Sequence, residues 1–197
     1  RLQPATVADF LQAVHQFERV ADRLASWVTA SMTDVDELTG LLNRTAMERD
    51  LAREQAQLLR TGGKVTVAMV DADHFKQVND DHGHAFGDHV LQTLAERFVE
   101  SLRPRDQVYR YGGEEFLLLL PDTPLDKAAP VLERLRLRAA EDDISDGKTV
   151  VNLTVSVGAT AVKPDENIHA AIDRADAALY RAKEAGRNRV ELDTVAG

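Results

Sequence analysis

The sequence predicts an α+β domain, a sheet with helices on one or both faces, standing behind a helical N-terminal segment. Three observations carry this. Residues 7–35 repeat apolar positions at helical spacing, the remainder alternates strand-like with helix-like stretches, and one hairpin, "VYRYGGEEFLLLLP" at Val108 to Pro121, puts two strands side by side in mid-chain.

The N-terminal segment follows Pro4. Val7, Phe10, Val14, Phe17, Ala21, Leu24, Val28, Ser31 and Val35 alternate spacings of three and four, the heptad pattern of a helix that buries a narrow seam against a partner helix. A single amphipathic helix on its own domain is the other reading, because Leu11, Val20 and Trp27 widen the stripe. The expectation carried forward is a coiled-coil stalk over residues 1–35 that pairs two copies of the chain, with residues 36–197 forming the folded domain. The first residue is Arg1, so a piece of a longer protein is expected, with a sensor domain upstream.

"KVTVAMVDAD" reads as a buried strand ending in Asp71 and Asp73, since Val65, Val67, Ala68, Met69 and Val70 leave no polar edge. A helix is predicted through "FGDHVLQTLAERFVESLR", then the hairpin, then a helix from about Leu125 to Ala140. "EDDISDGK" reads as a solvated loop and "TVVNLTVSVGAT" as one strand. "IHAAIDRADAALYRAKEAG" is an amphipathic helix with Gly186 as its C-terminal cap, and "NRVEL" is a short last strand.

Bulk properties exclude several partners. With 197 residues, 44% of them hydrophobic, the chain can build one core plus an extra element. A formal charge of -9 argues against a nucleic-acid polymer held by its phosphates, which needs a basic surface. The absence of cysteine rules out disulfides and thiolate zinc sites and agrees with a reducing cytoplasm, the expected location. No apolar run approaches the roughly 20 residues of a membrane span.

The hairpin carries the chemistry. Gly112 and Gly113 are expected to supply the turn's positive φ angles. Glu114 and Glu115 either solvate that turn or meet Asp71 at an adjacent strand end. In the second case, like charges about 4 Å apart repel by about 4 kcal/mol at an effective dielectric near 20, so the cluster wants raised pKa values or a cation. Oxygen ligands without cysteine suit magnesium, which completes its shell with water and substrate phosphates.

Four motifs in order, "DELTGLLNR" at Asp36 to Arg44, "DADHFKQVNDDHGHAFGD" at Asp71 to Asp88, "GGEEF" at Gly112 to Phe116 and "KEAGRN" at Lys183 to Asn188, resemble the GGDEF family of diguanylate cyclases. The resemblance spans about residues 36–192. It implies a ferredoxin-like, nucleotide-cyclase palm with a central, mainly antiparallel sheet, and an enzyme that joins two GTP into cyclic di-GMP with release of two pyrophosphates. It further implies a magnesium site at Asp71, the Ala72 carbonyl and Glu114, with manganese as a possible substitute. Glu114 would also accept the 3′-hydroxyl proton, Glu115 would assist the metal or position the substrate, and Lys76 would meet the phosphates.

By the same resemblance, Lys183 and Arg187 grip the triphosphate, and the backbone amides near His74 and Phe75 complete a phosphate cradle. Asn79 and Asp88 read guanine: a carboxylate accepts from its N1–H and 2-amino group, where adenine offers no donor. The bland role for Asp88 is a helix N-cap before "HVLQTL". His82, His84 and His89 raise a zinc reading that the lack of cysteine disfavours. His84 is expected to line the nucleotide pocket, with His82 and His89 exposed. Arg103 and Asp106 stand at the spacing of the family's product-inhibition site. The alternative to a cyclase is a catalytically silent module that binds cyclic di-GMP or GTP and signals through the stalk.

Overall fold

The computed structural model describes residues 34–194; residues 1–33 of the expected stalk lie outside the described residues, and Val35, its last heptad position, forms a β-bridge with Leu42 in place of a helical turn. Twelve elements follow in the order α1 (Arg44–Thr61), β1 (Val65–Ala72), α2 (Phe75–His82), α3 (His84–Ser101), β2 (Gln107–Gly112), β3 (Glu115–Pro121), α4 (Leu125–Ala139), β4 (Ile144–Ser145), β5 (Val150–Val151), β6 (Val155–Ala161), α5 (Ile168–Glu184) and β7 (Val190–Asp193). The main sheet has the order β2-β3-β1-β6-β7. β1 runs antiparallel to both neighbours, β2 to β3 is antiparallel, and only β6 to β7 is parallel. This is the mainly antiparallel α+β sheet with flanking helices.

The period of two along β1 separates two cores. Ala68, Val70 and Ala72 pack with Phe116, Leu118 and Leu120 against α3 and α4, where Leu94, Phe98 and Leu132 meet them. Val65, Val67 and Met69 pack with Leu117 and Leu119 against Met47 and Leu51 of α1 and Ile172 and Leu179 of α5. Every residue of β1 is buried, Thr66 and Asp71 included, as a mostly apolar run predicts for a strand covered on both faces. By the same parity Asp71 and Glu115 point to the α5 side. Gly158 lets α5 come close, since a Cβ there would lie 2.0 Å from the backbone nitrogen of Leu179.

The N-terminal motif is a folded turn. Asp36 accepts from the backbone N–H and the hydroxyl of Thr39 (2.9 and 2.7 Å), and Asn43 caps α1 by accepting from the N–H groups of Thr45 and Ala46. Tyr109, wholly buried on β2, donates to Asp50 of α1 at 3.0 Å and ties that helix to the hairpin.

Several expectations need correction. The helix expected through residues 86–103 starts at His84 and is preceded by a separate short helix, α2. "TVVNLTVSVGAT" is two strands, because at Thr154 the carbonyl and hydroxyl bond to Asp73 and the main ladder begins only at Val155. The loop at residues 141–148 contributes β4, whose Ile144 is 2% exposed and anchors a hairpin with β5. Its turn uses Gly147 at φ 87 and Asp146, which accepts from the N–H groups of Lys148 and Thr149. The signature hairpin turns on Gly113 and Glu114, since Gly112 already pairs with Glu115; only Gly113 has positive φ, at 30°. α5 ends at Glu184 with Ala185 as its cap, and Gly186, at φ 108, lies one residue beyond.

Candidate active site at the ends of β1 and β3

Strand register builds the acidic part of the site. Asp71 and Glu115 stand directly opposite each other on neighbouring antiparallel strands, which places their side chains on one face. Glu114, in the turn, is drawn to the same end because its carbonyl accepts from the N–H of Ala72 at 3.3 Å. Arg110 braces that turn from behind. Its guanidinium donates to the Gly113 carbonyl through Nε and Nη2 (3.3 and 3.0 Å) and to both oxygens of Asp36 through Nη1 (2.9 and 3.2 Å). Burial works to raise the Asp36 pKa, but hydrogen bonds from Thr39 and Arg110 outweigh it, so this carboxylate is held below its usual range.

The acids at the strand ends are shifted the other way. Burial raises Asp71, which is 5% exposed, more than Lys183 and Arg187 lower it, and Asp73 adds to the rise. Burial first, then the charge of Asp71, raises both Glu114 and Glu115; Lys183 offsets part of this. The ammonium of Lys183 lies 2.8 Å from Asp71, delivered there by the last turn of α5.

These groups suit a hard divalent cation: two or three desolvated, mutually repelling carboxylates sit beside a backbone carbonyl, with no competing soft ligand. They do not form a cage, since no three His, Asp or Glu side chains converge as a complete ligand set among the described residues. The expected convergence of three carboxylates is therefore an electrostatic neighbourhood only, as befits an ion that draws its remaining ligands from water and phosphate.

The residues expected to cradle phosphate lie in the turn after β1. His74, exposed with a left-handed φ of 59°, precedes α2, and no side chain caps that helix's first turn. The N-terminal amides therefore face outward beside the exposed Lys76, and the turn is anchored by the buried Phe75. Arg187 is exposed on the turn after α5, also at left-handed φ.

Asn79 and Asp88 come together through Gly87. A Cβ on Gly87 would lie 1.9 Å from Oδ1 of Asn79, so that side chain lies across the glycine immediately before Asp88. Asp88 is exposed inside the first turns of α3, whose N-cap is Gly83, and the capping role for Asp88 is excluded. His84 is exposed at the head of α3, and His82, also exposed, meets Phe86 edge-on at 5.5 Å. His89 departs from expectation: it is half-buried, with Nε2 3.1 Å from the Ser145 carbonyl.

Arg103 and Asp106 form a tight turn at the other end of β2, the Arg103 N–H donating to Asp106 Oδ2 at 3.0 Å. They line a cleft of about 410 Å³ with Leu41, Leu42, Val99 and Val108. Six residues of β2 separate this cleft from the signature turn, about 20 Å at the usual rise. Arg105, unassigned from sequence, pairs with the exposed Asp122. Sequence reasoning missed the parts of Arg110 and Asp73. An arginine two residues before a glycine turn was a readable signal for Arg110, whereas the partners of Asp73 lie 81, 83 and 115 residues away.

Comparison with known proteins gives concordant results. A family model described as "Diguanylate cyclase, GGDEF domain" matches residues 33–189. The chain is 45% identical over 157 residues to diguanylate cyclase DgcP of Pseudomonas aeruginosa, covering 80% of this chain and 23% of that protein. It is 43% identical over 155 residues to diguanylate cyclase DgcM of Escherichia coli K12, covering 79% and 37%. The chain thus spans well under half the length of these relatives. The crystal structure of the coiled coil and GGDEF domain of DgcB from Caulobacter crescentus, in complex with c-di-GMP, matches with a TM-score of 0.83 at 33% identity, covering 94% of this chain and 97% of that one.

Proposed function

The chain belongs to the GGDEF-domain diguanylate cyclase family, and from that premise we propose that it condenses two GTP molecules into cyclic di-GMP and two pyrophosphates. The observation that carries the reading is Asp71 and Glu115 facing each other across β1 and β3, with Glu114 in the adjoining turn within their field and the ammonium of Lys183 2.8 Å from Asp71. Each of two facing domains holds one GTP. In each, the 3′-oxygen of one nucleotide bonds to the α-phosphorus of the other, the bond to the pyrophosphate oxygen breaks, and the hydroxyl proton passes to Glu114. The raised pKa of Glu114 suits a proton acceptor near neutral pH. Lys183 and Arg187 on one side and Lys76 with the amides of α2 on the other bind the triphosphate and balance the charge of the leaving pyrophosphate.

Members of the family generally need a divalent metal. In our reading it is magnesium, with manganese able to substitute, and Asp71, the Ala72 carbonyl and Glu114 would hold it; bound there, it supplies charge neutralisation at the reacting phosphates. Guanine is read by Asn79 and Asp88, with His84 at the pocket's rim. The described helices include none long and apolar enough to cross a membrane.

One domain carries one half-site, so turnover requires a homodimer, and the heptads of residues 1–35 would pair the domains and pass a signal from a sensor upstream. Product binding at Arg103 and Asp106 is about 20 Å from the acids by the strand rise, and in this reading inhibits by holding domains apart. The test is chromatography of nucleotides after incubation with GTP and magnesium, with and without chelator. Cyclic di-GMP that disappears on chelation supports the reading; bound but unconverted GTP from dimeric, product-free protein favours the silent receptor.

A further inference from the structure

Asp73 is an acid that the chemistry above does not use, yet it is 4% exposed and fully engaged. Its Oδ1 accepts from the Ser156 hydroxyl at 2.7 Å. Its Oδ2 accepts from the Thr154 hydroxyl at 2.7 Å and from the backbone N–H of Asn188 at 3.0 Å. Its own N–H donates to the Thr154 carbonyl at 2.9 Å. One side chain thus joins the end of β1, the entry to β6 and the turn after α5. With donors on both oxygens, it is spoken for as a structural acceptor.

The turn it reaches is an unusual one. Arg187 and Asn188 are consecutive non-glycine residues at left-handed φ, 61° and 46°, a conformation that side-chain-bearing residues adopt at a cost and keep only where surroundings hold it. The hold on Asn188 comes from Asp73 at its N–H and from Arg136 of α4 at its side chain. Arg187 precedes Asn188 directly, and Lys183 lies one helical turn earlier. Asp73 also adjoins His74, the start of the opposite phosphate cradle. The N–H of Arg187 is itself bonded to the Ala182 carbonyl at 3.0 Å, and the Asp73 tie adds a second hold one residue further on.

We propose that Asp73 is a positioning residue: it fixes the Arg187–Asn188 turn over the end of β1 and thereby sets the distance between the cationic grip and the acids. The proposal rests on the nucleotide reading above and adds a residue to it. The tie is geometric, not a matter of net charge. An asparagine at this position can keep the Thr154 and Asn188 bonds through its oxygen, while the Ser156 hydroxyl reverses to accept from its NH₂ group.

The experiment is a double-mutant cycle read by calorimetric binding of a non-hydrolysable GTP analogue with magnesium. It uses wild type, Asp73→Ala, Asp73→Asn, Arg187→Ala and the double variant Asp73→Ala/Arg187→Ala, each well below its own unfolding temperature. Asp73→Ala is expected to weaken binding about tenfold, Asp73→Asn by less than about threefold, and Asp73→Ala added to Arg187→Ala by less than about twofold, because a residue that acts through another is not additive with it. Losses that multiply in the double variant, or Asp73→Asn as damaging as Asp73→Ala, overturn the proposal alone. Wild type that binds no analogue overturns the nucleotide reading and the proposal with it.

Discussion

The ammonium of Lys183 stands 2.8 Å from the carboxylate of Asp71, joining the last turn of α5 to the end of the central strand. Asp71 is nearly buried and Lys183 about one-third exposed. Removing the cation leaves an acid in a desolvated place and, under the proposed function, removes a phosphate ligand. Lys183→Ala is predicted to lower stability at neutral pH by about 1 kcal/mol, since the pair is only partly screened. It should also reduce kcat/KM for GTP by about 100-fold, mostly through KM. Thermal unfolding and steady-state kinetics check the two effects separately.

The raised acids make stability depend on pH with a definite sign. Glu115 has a folded-state pKa above its ordinary value of 4.5, so the unfolded chain ionises first as pH rises and the cluster destabilises the fold at neutral pH. That cost is relieved as pH falls through the folded value and vanishes below the unfolded one. Glu115→Gln in metal-free buffer is therefore predicted to raise the unfolding temperature at pH 7. The gain should shrink as pH is lowered toward 4.5, the ordinary glutamate value. A gain that grows toward acid pH would contradict the assignment.

Arg110 gives the signature turn its backing. Its fork joins the Gly113 carbonyl to Asp36, a geometry lysine cannot reproduce. Arg110→Lys and Arg110→Ala are both predicted to lower kcat by about tenfold or more, with GTP affinity changed by less than about threefold, because the turn carries Glu114 and the phosphate ligands lie elsewhere. Equal losses in affinity would place Arg110 in substrate binding.

Two glycine-to-alanine changes should separate fold from base recognition. At Gly158 the new Cβ meets backbone of α5 at 2.0 Å, so the helix must move; destabilisation of about 2–3 kcal/mol is expected, with activity lost alongside. At Gly87 it meets the tip of the Asn79 side chain, which can rotate away, and the edge of the Phe75 ring at 3.2 Å, which must give by a few tenths of an ångström. Gly87→Ala should melt within a few degrees of wild type but raise KM for GTP about tenfold or more, as a guanine reader is displaced. Calorimetry with KM for GTP and ATP distinguishes the two.

Much of this site is legible in the chain because apolar runs locate strands. "VAMV" and "LLLL" read as central strands, and as antiparallel neighbours they bring the Asp71 end of one beside the Glu115 start of the other. Family motifs add Lys183 and Arg187, which no periodicity would distinguish from solvated cations. Other features depend on contacts distant in sequence. Asp73 finds Thr154, Ser156 and Asn188 only once the sheet is assembled. The β4–β5 hairpin hid because its Asp146–Gly147 turn signal sits in an acidic run that reads as solvent-facing, and α2 hid because its eight residues make barely two turns and no capping side chain marks its start. Of the expected heptad pairing over residues 1–35, residues 1–33 fall outside the described residues.

The central claim is that Glu114, held beside Asp71, takes the 3′-hydroxyl proton in a GTP-to-cyclic-dinucleotide condensation. Its most direct test is mass-spectrometric identification of the product formed from GTP and magnesium by the dimeric, product-free chain and by Glu114→Gln, with GTP-analogue binding measured on both. Cyclic di-GMP is expected from the wild type, with a rate at least about 1,000-fold lower in the variant and a retained fold. Equal rates from the two proteins would contradict that claim.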